Sequence, residues 1–343
     1  MNLDQAFEYY LPVIETELRS FFDDTPATLQ SFYGMMGYHL GWLGETFSPV
    51  TLKSGKRLRP LLCLLACGAA GGNATDALPA AAALELIHNF SLVHDDIQDN
   101  SPVRRHRRTV WAIWGQPQAI NVGDGLFAMA FLSLARLKSD LSSSRLNTIH
   151  ESFAKACLLL CEGQYMDMSF ETRPKVSQDE YFRMIGCKTA ALLSCGAYVG
   201  ALIAGHNAEA AGRYQFFGEQ IGLAFQIQDD ILGIWGDPKV TGKPSADDIR
   251  QCKKTLPVLY SLRREEELGE HLLSDLYAQT AIADEDIGVV LETLDRLEAL
   301  DYVCDMNAFY CDKALEELEA TGGDSEARAT LEELVDRLRG RPS

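Results

Sequence analysis

Strand signals are nearly absent from this chain of 343 residues. Alternating runs of Val, Ile and Thr closed by turn pairs hardly occur, which argues against a sheet-built fold. Positive charge is also scarce: 31 Lys and Arg stand against 49 Asp and Glu, a net charge of −18. Such a surface repels nucleic acid and anionic lipid, so neither is an expected partner. No uncharged apolar run reaches the ~20 residues of a membrane span. The opening Met1-Asn2-Leu3-Asp4-Gln5 lacks the basic start of a secretory signal, so a cytoplasmic protein is expected. The 9 cysteines include no CxxC pair. Cys63/Cys67 and Cys157/Cys161 are one helical turn apart, but no third and fourth zinc ligand accompanies them. Their odd number and apolar neighbours read as reduced, buried thiols. No Gly/Ser/Pro linker, low-complexity tract or clear repeat divides the chain, so one domain over residues 1–343 is expected.

Helical spacing is what remains. Apolar residues recur at helical intervals over residues 4–22, 59–71, 77–99, 118–138, 145–170, 178–205, 208–235, 255–267, 285–300, 302–320 and 324–339. Pro60 suits a first helical turn and Gly71-Gly72 a helix end. Residues 24–54 are mixed, broken by Pro26 and Pro49, and residues 100–117 read as a basic loop or short helix. An all-α architecture follows.

Two acidic clusters interrupt this apolar background. The first, His94-Asp95-Asp96-Ile97-Gln98-Asp99, ends the helix that carries Leu84, Ile87, Phe90 and Leu92. Residues four apart share a helix face, so Asp95 and Asp99 point one way while Asp96 turns aside by ~100°. Mg²⁺ favours one or two carboxylates completed by waters and substrate phosphates, which this spacing suits. A solvated helix end is the plainer alternative, but the apolar approach disfavours it. The second cluster is Gln226-Ile227-Gln228-Asp229-Asp230. Four residues after Asp229 stands Gly233, so only one carboxylate lies on the primary face, and a helix end explains it equally well.

Cations flank both clusters. Lys56, Arg57 and Arg59 precede an apolar helix start, where anions are favoured; Lys56 and Arg59 would face a diphosphate, whereas Arg57 could be solvated. His88 lies two turns before Asp95 on the same face, a position where a satisfied core histidine is the commoner outcome. Arg104 and Arg105 open the run Arg104-Arg105-His106-Arg107-Arg108, read as a substrate clamp in so acidic a chain. Lys243 sits in the loop Thr241-Gly242-Lys243-Pro244, and Lys253 follows it.

In sequence order, GKRLRP (55–60), LVHDDIQDNSPVRR (92–105), Lys188-Thr189-Ala190, FQIQDDILG (225–233), GKP (242–244) and CKKTLP (252–257) resemble the trans-isoprenyl diphosphate synthases. The motif-bearing stretch spans about residues 53–260, and the ordered set is far more specific than any single piece. The resemblance implies a single large helical bundle around a deep central cavity, of the isoprenoid synthase type and dimeric, with the two acidic clusters opposed at the cavity mouth. It further implies Mg²⁺, about three ions per site, with Asp95, Asp99 and Asp229 as ligands and Asp96 and Asp230 as supporting acids. By the same likeness Arg104, Lys188, Lys243 and Lys253 hold an allylic diphosphate. Lys56, Arg59, His88 and Arg105 hold isopentenyl diphosphate, and Thr189 and Gln226 line the reacting carbons. The implied reaction is ionisation of the allylic diphosphate, attack by the second substrate's double bond and loss of a proton. Two departures stand out: Gly233 replaces a third acid, and Cys187 stands where glycine is common.

Product length is read from the helix before Asp95. Ser91, four residues back, leaves the first turn open; Phe90, five back and ~7.5 Å down the axis, is bulky. This pattern resembles geranylgeranyl diphosphate synthases of the archaeal type, with farnesyl diphosphate second and longer prenyls third; packing alone would also explain Phe90. Two rivals remain. A class I terpene cyclase would leave Lys56, Arg59 and Arg105 idle, and a non-catalytic regulatory subunit would be expected to lose acids that this chain keeps.

Overall fold

The computed structural model describes residues 1–50, 57–137, 141–237, 246–279, 281–322 and 325–340. Among them the fold is all-α, apart from one hairpin of two-residue strands. Helices expected from periodicity appear with end shifts of a few residues. They are α1 (Leu3–Arg19), α3 (Leu58–Ala69), α4 (Leu78–Gln98), α6 (Gln116–Leu134), α7 (Ser143–Thr172) and α10 (Ala208–Trp235). In the gaps lie α2 (Gln30–His39) and α5 (Val110–Trp114). The run expected at 178–205 is α8 (Gln178–Ile185), a wider π turn Gly186–Ala190, and α9 (Ala191–Ile203). Beyond α10 follow α11 (Asp247–Arg250), α12 (Leu256–Leu268), α13 (Leu272–Leu276), α14 (Ile287–Arg296), α15 (Ala299–Ala320) and α16 (Glu326–Arg339).

Periodicity misses α2 because its sequence, QSFYGMMGYH, is rich in glycine and aromatics and poor in strong helix formers. Burial holds it instead: Met35, Met36 and Tyr38 are sequestered. A Cβ at Gly34 would lie 2.7 Å from the Phe47 ring, so that contact requires glycine. The expected basic loop contains the hairpin β1 (Val103–Arg104) and β2 (Arg107–Arg108). Its turn residues Arg105 and His106 have φ of 50° and 61°, the left-handed pair of a type I′ turn. No Asn-Gly marks that turn, which is why the sequence conceals it.

The chain divides into two compact units, each made of three separate stretches. The first holds Met1–Phe153, Gly196–Gly212 and Gly323–Leu331. Within it the small residues Ala80, Ala81, Ala82 and Ala83 of α4 are fully buried, which suits close helix approach. Arg57, at the N-cap of α3 with φ 49°, is buried rather than solvated. Its guanidinium pairs with Glu15 at 2.8 Å and with Glu85, and Asn89 also donates to Glu85 at 2.6 Å. Burial opposes the charge on Arg57, but the two carboxylates outweigh it and hold its pKa above the ordinary value.

The second unit holds Ala154–Cys195, Arg213–Gly322 and Glu332–Ser343. One of its cores gathers Tyr181, Ile185, Ile227, Ile231 and Leu256. Another gathers Ile234, Ala246, Ile249, Val258 and Val290. The continuous helical run Gln178–Ile203 is long and apolar enough to cross a membrane, yet 72% of its most apolar window is buried inside the protein. All nine cysteines stand outside disulfides, and five of them are buried.

Candidate active site

In the first unit, α4 ends at the acidic cluster. The Asp99 N–H donates to the Asp95 carbonyl at 2.8 Å, so the helical geometry that puts these two residues on one face is intact. Asp95 is half-buried and Asp99 exposed, whereas Asp96 turns inward and is 2% exposed. Arg104 Nε donates to Asp96 Oδ1 at 2.7 Å. Burial nevertheless pushes the Asp96 pKa up to about 6, against the pull of Arg104. The cluster is therefore sorted: one face keeps two carboxylates toward solvent, and the intervening acid is committed to an arginine.

Cations gather beside it. Arg59 has a buried Nε that meets no acceptor among the described residues, and burial lowers its pKa. Unsatisfied buried donors are costly, so a guanidinium held this way is primed for an anion. Burial, then Arg59 and Arg105, hold the His88 imidazole well below its ordinary value. Arg105 stands exposed on the strained hairpin turn. Arg107 and Arg108 leave the expected clamp. Arg107 donates to the Tyr38 and Leu43 carbonyls at 3.0 and 2.7 Å and lies 3.9 Å over the Tyr38 ring; Arg108 donates to the Ala112 carbonyl. Lys56 lies outside the described residues.

His39, at the end of α2, was not legible as a site residue. Its Nε2 is buried without a partner among the described residues, and the ring lines a cavity of about 450 Å³ with Asp96, Arg104 and Arg105. Burial and four arginines, Arg104 foremost, lower its pKa to about 3. It is a neutral imidazole among cations, with nothing in its own segment to mark it.

In the second unit the same sorting recurs on α10. Asp229 is exposed; Asp230 is 4% exposed. Asp230 accepts from Tyr181 Oη at 2.5 Å, from the Leu256 N–H at 2.9 Å and from Gln226 at 3.1 Å. It thereby satisfies a free N–H in the first turn of α12. Burial raises its pKa to about 7 despite these donors. Thr189 donates to Gln226 Oε1 at 2.7 Å, so both expected lining residues belong to the network of Asp230. Lys188 sits in the π turn, a feature common at functional positions, and pairs with Asp167. A Cβ at Gly163 of α7 would lie 2.3 Å from the Lys188 backbone nitrogen, so glycine permits this approach. Lys253 is exposed and lies 3.4 Å from Asp248 Oδ1. Its neighbour Lys254 instead points at carbonyls, donating to Phe170 at 2.6 Å and to Arg173. Lys243 lies outside the described residues.

Among the described residues no three His, Cys, Asp or Glu side chains form a ready-made metal cage. Each unit offers carboxylates at a helix surface, which suits an ion completed by water and phosphate oxygens better than an all-protein site.

Comparison with known proteins places these features. The polyprenyl synthetase family model matches residues 41–294. A geranylgeranyl diphosphate synthase of Mycobacterium tuberculosis is 42% identical over 253 residues, 74% of this chain and 71% of that protein. A (2E,6E)-farnesyl diphosphate synthase of the same organism is 40% identical over 264 residues, 76% of this chain and 72% of that protein. The crystal structure of a geranylgeranyl pyrophosphate synthase from Corynebacterium glutamicum, complexed with isoprenyl diphosphate and magnesium, aligns with a TM-score of 0.83 at 27% identity over 99% of each chain.

Proposed function

This chain belongs to the polyprenyl synthetase family and is a short-chain trans-prenyl diphosphate synthase of all-α isoprenoid synthase fold, and we propose that it extends an allylic diphosphate with isopentenyl diphosphate to geranylgeranyl diphosphate. The observation that carries the site assignment is the sorting of acids in both units: Asp96 and Asp230 are buried and committed, while Asp95, Asp99 and Asp229 stand at the surface of their helices. The matched region also contains the whole ordered motif set.

Mg²⁺ is the proposed cofactor, and the donor set fits it: hard carboxylate oxygens, one turn apart on α4, without soft ligands or a closed cage. The solved C. glutamicum relative carries magnesium with its isoprenyl diphosphate. When bound, the ion supplies Lewis-acid stabilisation of charge developing on the departing diphosphate. Asp95 and Asp99 would hold such ions on α4, and Asp229 would do so on α10. Arg104, Lys188 and Lys253, with Lys243, would neutralise the allylic diphosphate. The unsatisfied Arg59 Nε, together with His88, Arg105 and Lys56, would take isopentenyl diphosphate. Thr189 and Gln226 are held in place by the Asp230 network and would border the reacting carbons.

Product length is proposed to be set by Phe90 and Ser91. The Phe90 ring lies 5.0 Å from Phe127 of α6, edge to face, and Phe127 contacts Phe131 in the same manner. Ser91 stays small and bonds its own helix at His88. Phe90→Ala is expected to lengthen the product by at least one isoprene unit, with turnover retained. Chromatography of dephosphorylated products reads it; an unchanged length would leave Phe90 as packing alone. The same assay on the unaltered enzyme decides between twenty carbons and the fifteen of farnesyl diphosphate.

We further propose a single domain over residues 1–343 and a cytoplasmic homodimer. The interleaving of both units along the chain supports the first. The exposed apolar Ile120 and Leu132 on α6 support a partner copy.

A further inference from the structure

Gly233 breaks a symmetry between the two acidic helices. On α4 the acids stand four residues apart, at Asp95 and Asp99; on α10 the position four after Asp229 has no side chain. The space is nevertheless filled. A Cβ built on Gly233 would fall 1.9 Å from Asp248 Oδ2 and 2.8 Å from its Cγ. The carboxylate of Asp248 therefore lies against α10 where a side chain of residue 233 would begin.

The local fold explains this arrival. Ala246, at φ 58°, opens the short helix α11 from a left-handed conformation. Ala246 and Ile249 are 2% and 0% exposed and pack in one cluster with Ile234, the residue after Gly233. Burying that apolar surface draws α11 onto α10 and delivers Asp248 to the gap. Lys253 keeps Oδ1 company at 3.4 Å, and Asp248 itself is 8% exposed. A carboxylate this buried, pressed on a glycine and, among the described residues, ion-paired to the exposed Lys253, is not placed for solubility.

We propose that Asp248 supplies the second carboxylate of the α10 metal-binding face, entering from another helix in the place that residue 233 leaves open. This rests on the reading of Asp229 as a Mg²⁺ ligand. Asp248 and Asp229 then stand on α10 as Asp99 and Asp95 stand on α4. Asp248 acts as a metal-positioning residue, and Lys253 links it to the diphosphate-binding cations.

Mn²⁺ binding followed by electron paramagnetic resonance, with inorganic pyrophosphate present, tests this without turnover. Asp248→Asn is expected to weaken Mn²⁺ binding at least about tenfold, with its melting temperature in metal-free buffer unchanged. Gly233→Asp is expected to lower that melting temperature, because the added side chain meets the Asp248 carboxylate. Combining Gly233→Asp with Asp248→Gly is expected to bind Mn²⁺ more tightly than Asp248→Gly alone. Parent-like Mn²⁺ binding by Asp248→Asn, beside weakened binding by Asp229→Ala, would overturn the proposal and leave the metal reading standing. Parent-like binding by both variants would overturn both.

Discussion

Asp95→Ala and Asp229→Ala are each expected to lower kcat at least about a thousandfold, roughly 4 kcal/mol of lost transition-state stabilisation. The reasoning starts from exposure. Asp95 is half-buried and Asp229 exposed, so neither carboxylate is part of a packed core, and removing either should leave the melting temperature close to the parent's. The departing diphosphate gathers negative charge as its bond breaks, and the protein's means of meeting that charge are metal-holding acids and cations. Asp96→Asn and Asp230→Asn make the contrast. Asp96 holds Arg104, and Asp230 holds Tyr181, Gln226 and the first turn of α12. These variants should lose stability along with activity. Steady-state kinetics beside thermal melts separates the two patterns; a fully active Asp95→Ala at saturating Mg²⁺ would remove that residue from the site.

Arg57→Ala is expected to cost about 3–5 kcal/mol of folding stability. Its side chain is 1% exposed and stands between Glu15 and Glu85, whose side chains are 22% and 5% exposed. Truncation leaves the Glu85 carboxylate buried with Asn89 as its remaining donor among the described residues. Neutralising that orphan should recover part of the loss, so Arg57→Ala with Glu85→Gln is expected to be more stable than Arg57→Ala alone. Urea denaturation reads both. A loss under about 1 kcal/mol for Arg57→Ala, the range of exposed ion pairs, would contradict the assignment.

Arg57 also marks where the sequence is opaque. In GKRLRP three cations look alike, and only the structure separates a buried ion pair at Arg57 from a buried Nε at Arg59 that meets no acceptor among the described residues. The partner acids of Arg57 lie 42 and 28 residues from it, beyond any local pattern. By contrast, the long helices were legible because apolar side chains recur at helical spacing; the expected 208–235 is α10 to the residue. The split between Asp95 and Asp96 was legible for the same reason, since a rotation of ~100° decides which acid turns inward. Asp229 and Asp230 were told apart in the sequence by resemblance, and the physical reason is tertiary: Tyr181, Leu256 and Gln226 claim Asp230. Asp248 could not be found from its own segment. Its only trace was the missing acid at Gly233, and the apolar packing of α11 that fills the gap is tertiary.

The central claim is that the carboxylates of Asp95, Asp99 and Asp229 hold divalent ions when a diphosphate is bound. A crystal of the enzyme grown with Mg²⁺ and a non-hydrolysable allylic diphosphate analogue tests it most directly. Metal density at about 2.1 Å from oxygens of Asp95, Asp99 and Asp229, shared with the analogue's phosphates, is the expected result. An analogue bound without metal at those three side chains would contradict it.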